Sequence, residues 1–277
     1  MTSLPGRSAA RRAVGAAALM AALAPLMGSA WSAAHQQPAT LTVFAAASLT
    51  GAFTALGHIF EVAHPGTKVR FAFAGSQQLA LQLEQGAGAG VFASADQRSM
   101  AYASTHGLLA GRPREFARNR LVVVVPAENA AGVERLQDLA RHGIKLVIAA
   151  PAVPAGAYTR QLLRTLAATP GFGRAYDRAV LANVVSEEEN VKAVLAKVQL
   201  GEADAGIVYR SDVSPAVAQQ VRSIEVPDAM NVVASYPIAV LKGGDSELAR
   251  TFVALAMSET GQAIIERSGL IRAGGAR

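Results

Sequence analysis

The sequence predicts an α/β fold with two lobes, each built on a mostly parallel sheet flanked by helices. Short apolar runs of strand type alternate with longer runs of helical periodicity along most of the chain, which is the pattern of α/β proteins. The pattern contains about eight strands, which is many for one small sheet. We therefore expect two lobes that face each other across a ligand cleft.

In the first part of the chain, three strand-like runs each lead through a turn into a helical run. The first helix is the clearest, because Leu49, Phe53, Leu56 and Phe60 share one face and Pro65-Gly66 stops the pattern. The predicted segments are, in order, strand 41–44, helix 49–63, strand 68–73, helix 77–85, strand 91–94 and a helix that ends near residue 106.

The second part of the chain continues the alternation. The run Leu121–Val125 is entirely apolar and Pro126 follows it, which is typical of a strand that is buried on both faces. The predicted segments are then strand 121–125, a short helix within 134–142, strand 146–149, helix 157–168, strand 179–185, helix 191–200, strands 205–209, 222–226 and 236–241, and helices 246–257 and 260–267.

The chain begins with a segment typical of a secretory leader. Three arginines precede the small, apolar run from Val14 to Leu26, and small residues at 32–34 suit a cleavage site, so residues 1–34 are predicted to be a signal peptide. We expect the protein to be exported to the periplasm, where no membrane insertion is needed. If the two predicted lobes close around a ligand, the protein is expected to be a monomer.

The remaining residues are assigned to the two predicted lobes. The first lobe takes residues 35–118 and, because the last helices are expected to return to it, residues 243–277. The second lobe takes residues 119–242.

Composition excludes several classes of function. Without the leader, the chain has 23 basic and 20 acidic residues and no long basic run, so we expect no nucleic-acid partner. The absence of cysteine excludes disulfides, thiolate metal sites and cysteine nucleophiles. No Gly-x-Ser-x-Gly, Walker, dinucleotide or His-Glu-x-x-His motif occurs, and no histidine is placed to activate Ser48. An enzyme is not expected, and an exported serine hydrolase is a remote alternative.

Four strand-to-helix turns form the candidate ligand site, since open α/β sheets bind ligands at the carboxyl ends of their strands. These turns contain Ser48, Ser76, Pro154-Ala155-Gly156 and Asn190-Val191. Free N–H groups at helix starts and serine hydroxyls could bind an oxyanion without lysine or arginine. Tyr209 could add a phenolic donor. The ordinary alternatives are a helix cap at Ser48 and a Tyr209 hydroxyl that points into water.

The start of the helix near residue 190 is open between two alternatives. Ser186 with Glu189 matches a capping box. Asn190 as the cap would instead make Val191 the first helical residue, with a free N–H. The oxyanion site requires the second alternative. Asp96 and Asp212 lie close in sequence to loops of the candidate site. We expect their carboxylates to hold these loops by capping backbone N–H groups.

Five stretches, taken together and in this order, resemble the periplasmic molybdate-binding proteins of ABC importers. They are Val43–Thr50, Phe73–Ser76, Val91–Asp96, Val153–Gly156 and Gly206–Asp212. The resemblance extends from about residue 41 to about residue 270. It implies a type II periplasmic-binding fold with a hinge, molybdate or tungstate as the bound ligand, no other cofactor, and the membrane permease of an ABC importer as the partner.

The resemblance also implies the ligand contacts. Ser48 and Ser76 would use hydroxyl and amide, Ala155 and Val191 their amides, and Tyr209 its phenol. These groups contact oxyanion oxygens and do not ligate the metal directly. This sequence departs from the family pattern at Gly75-Ser76-Gln77, where members of the family often have a run of serines. Ser76 is retained, and we expect the change to affect only the rigidity of the loop. Sulfate or phosphate as the ligand is an open alternative.

Overall fold

The computed structural model describes residues 38–244 and 246–274. The predicted signal peptide, residues 1–34, lies outside the described residues. The strands are β1 (Ala39–Ala46), β2 (Thr67–Ala74), β3 (Val91–Ala93), β4 (Arg114–Pro126), β5 (Leu146–Ala149), β6 (Val184–Glu188), β7 (Ala205–Tyr209), β8 (Val221–Glu225), β9 (Val233–Val240) and β10 (Ile271–Arg272).

Helices follow most of the strands, as the alternating sequence pattern predicts. They are α1 (Thr50–Ala63), α2 (Ser76–Glu84), α3 (Gln97–Thr105), α4 (Pro154–Ala168), α5 (Tyr176–Ala182), α6 (Val191–Gln199), α7 (Ser246–Met257) and α8 (Glu259–Arg267). Short 3-10 turns occupy Ala47–Leu49, Leu136–Ala140, Arg210–Asp212 and Val217–Gln219.

Strand β4 joins two groups of strands. In the first group, β1 pairs in parallel with β2 and β3, and β9 pairs antiparallel with both β3 and residues 114–120 of β4. In the second group, β5 pairs in parallel with β6 and β7, and residues 121–126 of β4 pair antiparallel with β7 and β8. The predicted α/β fold is confirmed, with parallel pairing at the outer strands and antiparallel pairing around β4 and β9.

The assignment of residues to two lobes stays a prediction. Strand β9 lies within residues 119–242, which the sequence assigned to the second lobe, yet its partners β3 and β4 place it in the first group of strands.

The first helix is held by an aromatic cluster under the first group of strands. Phe53 of α1 is fully buried, and its ring centroid lies 5.5 Å from that of Phe116 on β4 and 5.8 Å from that of Phe252 on α7. The contacts of α1 with α7 and β4 therefore hold the helix by its predicted apolar face.

The predicted strand 179–185 is wrong. Residues 176–182 form α5, and β6 begins only at Val184. A short apolar run does not distinguish a strand from a buried helix. Here Tyr176 and Val180, one helical turn apart, are both buried, and the Tyr176 hydroxyl donates to the carbonyl of Leu136 at 2.5 Å. That packing selects the helix.

Strand β4 is longer than the sequence predicts. The prediction missed its first half because that half lacks the apolar pattern by which strands are recognised. The sequence predicts a strand only over 121–125, but β4 begins at Arg114. Polar side chains such as Arg118 and Arg120 interrupt the apolar pattern there, while Asn119 is buried although it is polar. Polar burial of this kind depends on partners distant in sequence, so the local pattern does not predict it.

Candidate functional site

One small cavity brings together all five residues that the sequence predicts as ligand contacts. The room in it for a water-sized sphere is about 10 Å³, far below the roughly 300–1,000 Å³ typical of sites for larger organic ligands. The size suits a small inorganic ion. The lining residues are Ala46, Ala47, Ser48, Ala74, Gly75, Ser76, Ala95, Val153, Pro154, Ala155, Asn190, Val191 and Tyr209.

Helix α4 presents free N–H groups to this cavity. Val153 is its N-cap residue without a side-chain cap, Pro154 occupies the first helical position, and the N–H of Ala157 makes the first intrahelical bond, to the carbonyl of Val153 at 2.9 Å. The N–H groups of Ala155 and Gly156 therefore have no acceptor within the helix. Proline suits this first position because it has no N–H to leave unpaired.

Helix α6 begins in the register that the oxyanion site requires. Asn190 is the N-cap residue, and its side chain accepts a hydrogen bond from the N–H of Ala193 at 3.1 Å. Val191 is then the first helical residue, with an N–H that has no intrahelical acceptor. The capping-box alternative is excluded, because Ser186 lies in β6 and its hydroxyl donates to Glu188.

Neither of the two serines caps its own helix. Ser48 lies in the 3-10 turn before α1, and its hydroxyl is 2.9 Å from the hydroxyl of Tyr236. Ser76 begins α2 without a side-chain cap, and its oxygen accepts a hydrogen bond from the N–H of Ala95 at 2.9 Å. Because the Ser76 oxygen already accepts a backbone N–H, its own proton is available to a ligand.

Tyr209 provides a buried hydroxyl that has no hydrogen-bond partner among the described residues. The side chain is 1% exposed, which excludes the alternative that this hydroxyl points into water. Burial raises the pKa of Tyr209 well above its ordinary value, so the phenol keeps its proton. An unpaired buried hydroxyl is costly unless a ligand pairs with it, and this phenol lies in the cavity wall.

The two aspartates hold loops, as predicted. Asp96 is the N-cap residue of α3 and accepts from the N–H of Ser99 at 2.9 Å. Asp212 accepts from the N–H of Tyr209 at 3.1 Å and forms an ion pair with Lys192 at 2.9 Å. Burial raises the pKa of Asp212, and Lys192 opposes that shift. The Asp212 contacts therefore tie the end of β7 to the start of α6.

Hydrogen bonds made close in sequence to the cavity lining join the first and second parts of the chain. Gln77 donates to the carbonyl of Glu189 and Gln78 to its carboxylate, both at 3.3 Å, and the Arg98 guanidinium donates to the carbonyl of Ala152 at 2.5 Å. A Cβ added at Gly75 would lie 2.7 Å from the carbonyl oxygen of Glu189, so a glycine allows this close approach. The Gln77 side chain thus contributes a bridging contact.

The donors in the cavity do not titrate near neutral pH. Tyr209 is the one titratable side chain among the lining residues, and its raised pKa keeps it protonated. We expect the affinity for a fully ionised oxyanion to stay constant from about pH 6 to about pH 9, because the phenol is lost as a donor only above its raised pKa. Titration calorimetry across this range checks the prediction, and a tenfold change in affinity would contradict it.

Residues 38–244 and 246–274 contain neither a cluster of metal-ligating side chains nor a membrane-spanning helix. No group of three or more His, Cys, Asp or Glu side chains in them could hold a metal ion. None of their helices is sufficiently long and apolar to cross a membrane.

Comparisons with known proteins agree on one family of binders. A family model described as bacterial extracellular solute-binding protein matches residues 41–271. The molybdate-binding protein ModA of Mycobacterium tuberculosis (strain ATCC 25618 / H37Rv) is 44% identical over 234 residues, which are 84% of this chain and 85% of that protein.

Solved structures share the fold at lower identity. The sulfate-binding protein SubI from M. tuberculosis H37Rv has a TM-score of 0.76 at 15% identity, covering 85% of this chain and 88% of that one. The periplasmic molybdate-binding protein of Azotobacter vinelandii has a TM-score of 0.72 at 22% identity, covering 84% and 99%. At these identities, the likeness concerns the fold alone.

Proposed function

This chain belongs to the family of bacterial extracellular solute-binding proteins, and we propose that it captures molybdate and delivers it to an ABC importer. The relative that is 44% identical over most of both chains is a molybdate-binding protein. The observation that supports the same role independently is a small cavity whose polar side chains are serine, asparagine and tyrosine, each with a donor group, with no carboxylate among the lining residues and one buried hydroxyl unpaired.

The donors in the proposed site come from four turns and one strand end. The hydroxyls and amides of Ser48 and Ser76, the amides of Ala155 and Val191, and the phenol of Tyr209 would contact the anion's oxygens. Helix starts favour negative charge, so the site needs no lysine or arginine in contact with the ligand. Tungstate would be bound in the same way, and no other cofactor is proposed.

Capture would couple ligand binding to closure of two lobes about a hinge. Donors from both parts of the chain reach the anion only when the cleft is closed, so the ligand favours the closed form. The contacts of Gln77 and Gln78 with Glu189, and of Arg98 with Ala152, would be made on closure. The closed protein would then dock as a monomer on the permease.

The family and the curated relatives indicate an exported protein. We propose the periplasm as its location, with residues 1–34 removed as a signal peptide.

Sulfate is the second candidate ligand, because a sulfate-binding protein shares the fold. That likeness concerns the fold alone, at 15% identity, whereas the molybdate-binding relative is 44% identical. Hydrogen phosphate is less suited, since its proton needs a strong acceptor and no carboxylate is among the residues that line the cavity. Molybdate therefore stands first.

Replacing Ser48 by alanine tests the site. We expect molybdate affinity to fall by about 1.5–3 kcal/mol, because the anion loses a donor that binds a charged group. Titration of the purified protein with molybdate measures the change. Ser99→Ala is the matched control, since it also removes a buried hydroxyl, one that lies outside the cavity and has no partner among the described residues. Unchanged affinity in Ser48→Ala would remove Ser48 from the site.

A further inference from the structure

A buried chain of hydrogen bonds leads from β4 to the Ser48 hydroxyl. It begins at Asn119, which is fully buried. The Asn119 amide oxygen accepts from the N–H of Arg120 at 3.0 Å, and this backbone donor determines which end of the amide is oxygen. The amide nitrogen then donates to Ser211 at 2.7 Å and to the Tyr236 hydroxyl at 3.2 Å. Both of its protons are used.

The second step of the chain is Tyr236 on β9. Its side chain is fully buried and its hydroxyl is 2.9 Å from that of Ser48. The tyrosine oxygen accepts from Asn119, so its proton must find another acceptor. Ser48 is the acceptor that the described residues offer, and a buried proton without one would cost free energy. Burial raises the pKa of Tyr236, which keeps that proton in place.

The direction of the chain determines what Ser48 can do. Once the Ser48 oxygen accepts from Tyr236, the serine proton is free to point into the cavity. Ser76 is arranged in the same way by a different partner, because its oxygen accepts from the N–H of Ala95. Both serines are therefore prepared as donors before the ligand arrives, which reduces the ordering cost of binding.

We propose that Tyr236 and Asn119 are positioning residues that orient the Ser48 hydroxyl as a donor toward the bound anion. Neither residue lines the cavity, so each acts through Ser48. This inference rests on the proposed function, since it concerns the same site and the same anion.

A double-mutant cycle on molybdate affinity tests this role. We expect Tyr236→Phe to raise the dissociation constant about tenfold, because the Ser48 hydroxyl loses the partner that orients its proton toward the anion. In a Ser48→Ala background, the same substitution should change the dissociation constant by less than about twofold, since the group it positions is gone. Losses that multiply in the double variant would overturn the proposal, as would an unchanged constant in Tyr236→Phe.

Two controls keep the test decisive. Tyr176→Phe also removes a buried tyrosine hydroxyl bond, the one to Leu136, and should lower the melting temperature without changing molybdate affinity. If Tyr236→Phe does not fold, Asn119→Leu interrupts the chain one step earlier, and its loss of affinity should likewise vanish in the Ser48→Ala background. Wild-type protein that fails to bind molybdate would overturn the proposed function itself, whereas wild-type binding with multiplying losses would overturn only the role of Tyr236 and Asn119.

Discussion

Gly156→Ala is expected to destabilise the protein by about 3 kcal/mol and to abolish tight anion binding. A Cβ at this position would lie 2.1 Å from the carbonyl oxygen of Ala150 and 2.3 Å from that of Ala149. These are backbone atoms at the end of β5, so relief requires α4 to move. Such a movement displaces the neighbouring N–H of Ala155 from the cavity. Denaturant unfolding and molybdate titration measure the two effects.

Gly51→Ala is the matched control for this substitution. Gly51 also lies in the first turn of a helix, α1, but a Cβ there would meet no atom within 4 Å. Alanine favours a helix over glycine by up to about 1 kcal/mol, so this variant should be as stable as the wild type or more stable, with full affinity. Gly156→Ala protein that matched the control in stability and affinity would contradict the described start of α4.

Tyr209→Phe is expected to change binding and stability in opposite directions. The Tyr209 hydroxyl is buried without a partner among the described residues, so its removal should stabilise the ligand-free protein by about 1 kcal/mol. The same change removes a donor to the anion and should weaken molybdate binding by about 3 kcal/mol, the upper end for a bond to a charged group. Melting of the ligand-free protein and calorimetric titration measure the two quantities.

A different outcome would exclude Tyr209 from the site. Loss of stability with unchanged affinity would mean that the hydroxyl pairs within the protein and not with the ligand. Tyr176→Phe provides the comparison, because that hydroxyl is paired with the carbonyl of Leu136 and its removal should cost stability only.

The turns at the site could be predicted because local chemistry specifies them. Strands 146–149 and 205–209 coincide with β5 and β7, since each is a fully buried apolar run between turn residues. Helix α4 begins at Pro154, three residues before the predicted start at 157, because proline suits the first helical position. The five predicted contacts then meet in one cavity because strand ends of an α/β sheet lie at a common edge.

Contacts between distant residues could not be predicted in this way. Tyr236 lies in an apolar strand and resembles a core tyrosine, and its bond to Ser48 joins residues 188 positions apart. The sequence left the first residue of α6 open, because both Ser186 and Asn190 are good N-cap residues. The pairing of β6 with β5 places Ser186 in a strand, so Asn190 is the N-cap residue of α6. Residues 176–182 became a helix for a similar reason, through burial against the turn at Leu136.

The most direct test of the account is a set of thermal melts with molybdate, tungstate, sulfate and phosphate. A ligand that binds only the folded protein stabilises it by about 2.7 kcal/mol at a concentration of one hundred dissociation constants. For a chain of this size, that corresponds to a rise of about 5–10 °C. We expect such a rise with molybdate and tungstate and little change with sulfate or phosphate. An equal rise with sulfate, or none with molybdate, would contradict the proposed function.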